Sequence, residues 1–133
     1  VSSVVANETC TFSISYEELV YCFGKASYGE NGHEKSILSV PTLIPSLFSI
    51  KSVNCGRRHT VCLDYDGCVF TFGSNVSGQL GISEDLFYNT HLPQKVDLPS
   101  IKQVSCGLEF NICLSEIGEL YSFGCNNQGQ LGI

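Results

Sequence analysis

The chain copies itself at a fixed offset, and no other feature narrows its possible fold as much. Val53-Asn54-Cys55-Gly56 returns 51 positions later as Val104-Ser105-Cys106-Gly107. The same offset carries Ile50-Lys51 to Ile101-Lys102, Cys62-Leu63 to Cys113-Leu114, Gly67 to Gly118, and Phe72-Gly73 to Phe123-Gly124. It also carries Asn75 to Asn126, and Gly78-Gln79-Leu80-Gly81-Ile82 to Gly129-Gln130-Leu131-Gly132-Ile133. A decayed copy stands in front at an offset of 49, where Val4, Thr11, Val20 and Phe23-Gly24 answer Val53, Thr60, Val69 and Phe72-Gly73. There Gly29-Glu30-Asn31-Gly32 replaces Gly78-Gln79-Leu80-Gly81, Asn7 replaces the glycine after the cysteine, and Glu18 replaces the turn glycine. The expected division is a degenerate repeat over 1–52, a full repeat over 53–103 and a partial repeat over 104–133.

Each copy reads as antiparallel strands. His59 to Leu63 and Cys68 to Phe72 are β-rich runs around Asp64-Tyr65-Asp66-Gly67. A connector ending in glycine suits a tight hairpin, because glycine reaches positive φ at no steric cost. No stretch keeps a helical apolar period over 11 or more residues. Units of about 50 residues built from four short strands imply a β-propeller, in which each blade buries its faces against its neighbours. The expected fold is therefore all-β, with about two and a half four-stranded antiparallel blades. Such an open stack leaves two blade faces uncovered, so the chain alone is expected to be marginally stable or to self-associate.

Composition removes several function classes. Seven Lys+Arg against 13 Asp+Glu give a net charge of −6, and only Arg57 and Arg58 are adjacent cations. Nucleic-acid binding by this segment is not expected, since it needs a basic face to displace counterions. No apolar run is long enough to span a bilayer as a helix, so no membrane role is expected. Methionine is absent, so Val1 is not expected to be a translation start, and the chain is expected to belong to a longer one.

The eight cysteines lack the close pairing of a zinc knuckle, and His33, His59 and His91 stand apart, so no metal is expected. Cys55/Cys106 and Cys62/Cys113 are repeat-equivalent positions in apolar strands, which suits small buried residues packed between sheets. Abundant cysteine without disulfide spacing points to a reducing, intracellular location, cytoplasmic or nuclear. The glycine-rich signature has neither a following helix nor a lysine, so it is read as a backbone turn and no cofactor is expected. In that turn Asn75 and Asn126 are expected to occupy left-handed conformations. His59, the one histidine at a signature position, is expected to satisfy a turn and not to act as a base. No nucleophile elbow or paired acid–base constellation occurs, and the chain is expected not to be an enzyme.

Tryptophan is absent, which excludes the signatures of WD40 and kelch blades. The string Val53-x-Cys55-Gly56-x-x-His59-Thr60, then Leu63, Gly67 and Phe72-Gly73-x-Asn75-x-x-Gly78-Gln79-Leu80-Gly81, resembles the RCC1 (regulator of chromosome condensation) repeat family. Cys106, Gly107, Gly118 and Phe123-Gly124-x-Asn126-x-x-Gly129-Gln130-Leu131-Gly132 repeat it, with Phe110-Asn111 in place of His-Thr. The resemblance implies a ring of, usually, seven blades, completed here by remaining blades of the parent chain. It also implies one of two roles, both with a protein partner. One is a non-catalytic protein-interaction module within a larger protein. The other is part of a guanine-nucleotide exchange factor for a Ran-like small GTPase.

Meander topology places the connector Gly56-Arg57-Arg58 and the connector from Gly73 to Gly81 at one end of the strands, with the Asp64 to Gly67 hairpin at the other. The long link from Ser83 to Leu92 leaves from the first end. Propeller partners bind mainly to such loops. Arg57 and Arg58 become Leu108 and Glu109 in the next copy, so the fold does not demand them. Arg57, Arg58, Asp85, Phe87 and Tyr88 are the candidate contact residues.

Overall fold

The computed structural model describes residues 1–83 and 88–133, and its strands form three separate antiparallel meanders. The first sheet contains β1 (Ser3–Ala6), β2 (Cys10–Ile14), β3 (Val20–Lys25) and β4 (Ile37–Leu43) in sequence order. The second contains β5 (Ile50–Cys55), β6 (His59–Asp64), β7 (Val69–Ser74) and β8 (Asn89–Lys95). The third has three strands, β9 (Ile101–Cys106), β10 (Phe110–Ser115) and β11 (Leu120–Gly124). No helix occurs among the described residues, and none is long and apolar enough to cross a membrane. The all-β blade architecture is the one the repeat implies.

The apolar cores lie between the sheets. Phe12, Ile14 and Val20 of the first blade pack with Val53, Cys62 and Phe72 of the second. Val61, Leu63 and Val69 of the second pack with Val104 and Cys113 of the third. Burial along the second strand of each blade records how many neighbours it has. β6 has a blade on each side and is buried from His59 through Leu63. β2 and β10 each have one neighbour and alternate buried with half-buried residues, because successive side chains point to opposite faces. The outer strands β4 and β8 carry Pro41 and Pro93, which deny a hydrogen-bond donor to any strand pairing at those edges.

Repeat-equivalent hydrogen bonds tie each blade to the next at both ends of the strands. At the hairpin end, the carbonyls of Glu18 and Gly67 accept from the amides of Ile50 and Ile101, the first residues of the following blades. The side chains of Ser15, Asp64 and Ser115 accept from the amides of Leu19, Cys68 and Glu119. Gly67 and Gly118 close these hairpins at φ +86° and +90°, and Glu18 adopts φ +66° at the same position. Glu18 thus inherits the geometry of the lost glycine along with its place in the repeat.

Candidate functional site

The signature glycine of the Phe-Gly pair is the last or next-to-last residue of the third strand in each blade. Gly24, Gly73 and Gly124 have φ near +120°, and a Cβ there would strike the carbonyl oxygens of Thr9, Arg58 and Glu109 respectively. The same three carbonyls accept from the next amides, those of Lys25, Ser74 and Cys125. This bond brings the loop after the first strand against the loop after the third strand, at the end opposite the hairpins. The strand order therefore puts residues 56–58 and 75–83 at one end, as the meander requires.

The signature asparagines act through their side chains. Neither Asn75 nor Asn126 has a positive φ, which corrects the left-handed expectation. Instead, Asn75 Oδ1 accepts from the Leu80 amide at 3.1 Å, and Asn126 Oδ1 accepts from the Leu131 amide at 3.0 Å. Positive φ is left to the flanking glycines, Gly78 and Gly81 at +76° and +66°, and Gly129 and Gly132 at +74° and +73°. Gln79 and Gln130 close the same loop, each Oε1 accepting at 2.8 Å from the amide two residues earlier. Glu30 makes the equivalent bond to the Tyr28 amide at 2.9 Å.

That loop is also where neighbouring blades lock. Thr60 Oγ1 donates to the Glu30 carbonyl at 2.7 Å, and repeat-equivalent Asn111 Nδ2 donates to the Gln79 carbonyl at 2.6 Å. His59, fully buried, spans the same junction and donates from Nε2 to Asn111 Oδ1 at 2.7 Å. Its role is inter-blade, not the turn role expected from its position. Burial holds its basicity below the usual imidazole value, against a smaller opposing influence of Asn111 and Glu109. The ring lies under Gly56, and the Phe110 ring lies under Gly107, so a Cβ at either glycine would collide with it. In the first blade Cys10 replaces the ring, leaving room for Asn7, whose Oδ1 caps the Thr9 and Cys10 amides.

All eight cysteines are free thiols, with Cys62 and Cys113 fully buried and Cys55 and Cys106 half-buried at the inner strand ends. Burial pushes Cys55 and Cys113 up to about 11, so neither provides a thiolate at neutral pH. No cluster of His, Cys, Asp or Glu among the described residues could hold a metal ion.

A cleft of about 230 Å³ opens at the loop end between the first and second blades. Arg57 and Arg58 line it together with Lys25, Tyr28, Glu8 and Glu30. The Arg58 guanidinium lies over the Tyr28 ring, 4.8 Å from its centroid. Glu30 is 3% exposed; burial pushes its carboxyl above the usual range, while bonds from the backbone and the Arg58 charge pull it down. Of the remaining contact candidates, Tyr88 is exposed but does not line the cleft, and its carbonyl accepts from the Asn75 amide. Asp85 and Phe87 lie outside the described residues. Lys25, Tyr28 and Glu30 were not among the sequence candidates. The available signal was a carboxylate at a repeat position where the other copies carry a neutral amide.

Radially packed meander sheets, joined by a repeated Gly-Gln-Leu-Gly loop, define a segment of a β-propeller with a loop-bearing end. The chain belongs to the regulator of chromosome condensation (RCC1) repeat family, whose model matches residues 17–63 and 66–114. It is 38% identical to the Protein RCC2 homolog of Danio rerio, covering 99% of this chain and 28% of that protein. It is 35% identical to the secretion-regulating guanine nucleotide exchange factor of Bos taurus, covering 86% of this chain and 26% of the relative. The chain thus spans little more than a quarter of either relative. Among solved structures it superposes on Prp20p of Saccharomyces cerevisiae with a TM-score of 0.87 at 20% identity, covering 99% of this chain and 35% of that one. That structural study addresses the binding properties of Prp20p to Gsp1p and histones.

Proposed function

We propose that the chain is a segment of an RCC1-like propeller that serves, within a larger intracellular protein, as a non-catalytic protein-interaction module. The observation that carries this reading is the division of labour between faces and loops. The sheet faces between blades are occupied by packing, whereas the loop end carries Arg57 and Arg58 at positions that other copies fill differently. The buried, inter-blade setting of His59 and the suppressed ionisation of Cys55 and Cys113 favour a structural role for the repeat-signature positions. Free thiols throughout fit a reducing compartment, the cytoplasm or nucleus. The test is capture of a protein partner on the immobilised chain, followed by cross-link mapping. Cross-links should fall on residues 7–9, 25–30 and 56–58; cross-links confined to the hairpin end would contradict the reading.

Similarity to a secretion-regulating guanine nucleotide exchange factor favours a second reading, in which the complete propeller acts on a Ran-like small GTPase. Exchange needs no bond chemistry, only tighter binding of the nucleotide-free GTPase than of the loaded one. Accelerated release of labelled GDP from such a GTPase by the complete propeller would establish this reading in place of the first.

A further inference from the structure

We propose that the cleft between the first and second blades docks a carboxylate-bearing acidic segment of a partner protein. The inference rests on the interaction-module reading and names the chemistry at its surface. Three of the seven cations in a chain of net charge −6 gather here, Lys25, Arg57 and Arg58. Among the described residues none of the three has a carboxylate within ion-pair distance. Stacking on Tyr28 fixes the Arg58 guanidinium before any ligand arrives, which lowers the ordering cost of binding. A stacked guanidinium still presents its N–H groups in its own plane, the geometry that suits a carboxylate.

The fold does not require this arrangement. At the equivalent junction between the second and third blades, Arg58 and Tyr28 are replaced by Glu109 and Ser77, and Ser77 Oγ donates to Glu109 Oε2 at 3.3 Å. One junction is closed by its own hydrogen bond with an acidic group, whereas the other holds cations with no carboxylate within ion-pair distance among the described residues. The opposing charges set the ligand class. Glu8 and Glu30 share the cleft, so three positive groups face two negative ones. That slight excess suits singly charged carboxylates better than doubly charged phosphate. It also falls short of the several phosphate contacts a nucleic acid needs. Glu30 is itself held inward by the Tyr28 amide and is not a free counterion for a ligand to displace.

Fluorescence anisotropy with the full chain tests this, using a labelled peptide of Asp and Glu spaced by Gly and Ser, and its Asn/Gln twin. The acidic peptide should bind about tenfold or more tightly than the twin, and more weakly as salt rises toward 0.15 M, where charges are screened beyond about 8 Å. Arg58→Gln and Arg57→Ser should each weaken binding about tenfold, the worth of a charge-assisted contact. Lys25→Ser, at an exposed position, does the same work if Arg58→Gln unfolds the chain. Glu30→Gln should strengthen binding, and Lys51→Ser, at an exposed position of β5, should leave it unchanged. Equal binding of the neutral twin, or equal weakening by Lys51→Ser, overturns the proposal. Tighter binding of a phosphoserine version overturns the commitment to carboxylates. If no peptide binds but a captured partner still cross-links to residues 56–58, this inference fails while the interaction reading stands.

Discussion

At the scale of single residues, the first blade shows what happens when a repeat loses its signature but keeps its backbone. Glu18 holds φ +66° where Gly67 and Gly118 hold the same region freely. A side chain in that region costs on the order of 1–2 kcal/mol, offset in part by the entropy glycine brings to the unfolded chain. Glu18→Gly should therefore stabilise the chain by about 1 kcal/mol in denaturant unfolding; a loss of stability would show that the Glu18 side chain contributes something the backbone argument omits. Glu30 makes the second case. Burial raises the folded-state pKa of its carboxyl, so the folded chain holds this proton more firmly than the unfolded chain. The sign follows from linkage: stability is lost as pH rises from the ordinary carboxylate range through the raised value. Glu30→Gln supplies the amide that Gln79 and Gln130 use for the same bond, without the charge. It should unfold at a higher temperature than the parent at neutral pH, and the advantage should vanish at acidic pH. Identical midpoints at neutral pH would contradict this.

At the scale of elements, the blade is a unit only in company. Its strands pair within one sheet, but its apolar faces and the buried side chains of His59, Thr60 and Asn111 find partners in a neighbouring sheet. Asn111 is the most connected of these groups, accepting from His59 and donating to the Gln79 carbonyl. Asn111→Ala leaves a buried ring N–H and a buried carbonyl unpaired, and should cost about 2–3 kcal/mol. Asn111→Thr keeps the donor that Thr60 uses in the preceding blade, so its cost should be smaller. A change in Asn111→Ala within about 0.5 kcal/mol of the parent, the level of an ordinary surface substitution, would refute the latch.

The strands, their hairpins and the end at which each loop lies were legible because the offset comparison aligns turn glycines and apolar runs directly. The latch was not legible, because Thr60 meets the Glu30 carbonyl across two blades and no spacing within one copy encodes that meeting. Asn75 departs from the left-handed expectation for a related reason. Its residue type suits both a left-handed turn and a side-chain cap, and only the position of the Leu80 amide decides between them. The cleft was half legible: the repeat singled out Arg57 and Arg58, but Tyr28 joins them only through the packing of one blade on the next.

For the whole molecule, exposure reports which surfaces lack a blade. Val4 is 69% exposed while its counterparts Val53 and Val104 are buried, and Leu120 is 70% exposed while Val69 and Val20 are buried. The two uncovered faces are also matched in chemistry, since Thr11 stands at the latch-donor position and Gln130 at the latch-acceptor position. Head-to-tail association can continue that pattern from one copy to another. Light scattering on the isolated chain should show mass rising with concentration, and Leu120→Lys should suppress the rise. A stable monomer at tens of micromolar, the expected working range of such an experiment, would count against these faces being sticky.

In the proposed interaction, the loop end between the first two blades meets a protein partner while the sheets provide only the frame. Hydrogen exchange on the chain, alone and with its captured partner, tests it most directly. Exchange should slow at residues 7–9, 25–30 and 56–58, with the strand interiors unchanged. Slowing confined to the hairpins at 15–18 and 64–67, or to the outer strands β4 and β8, would contradict it.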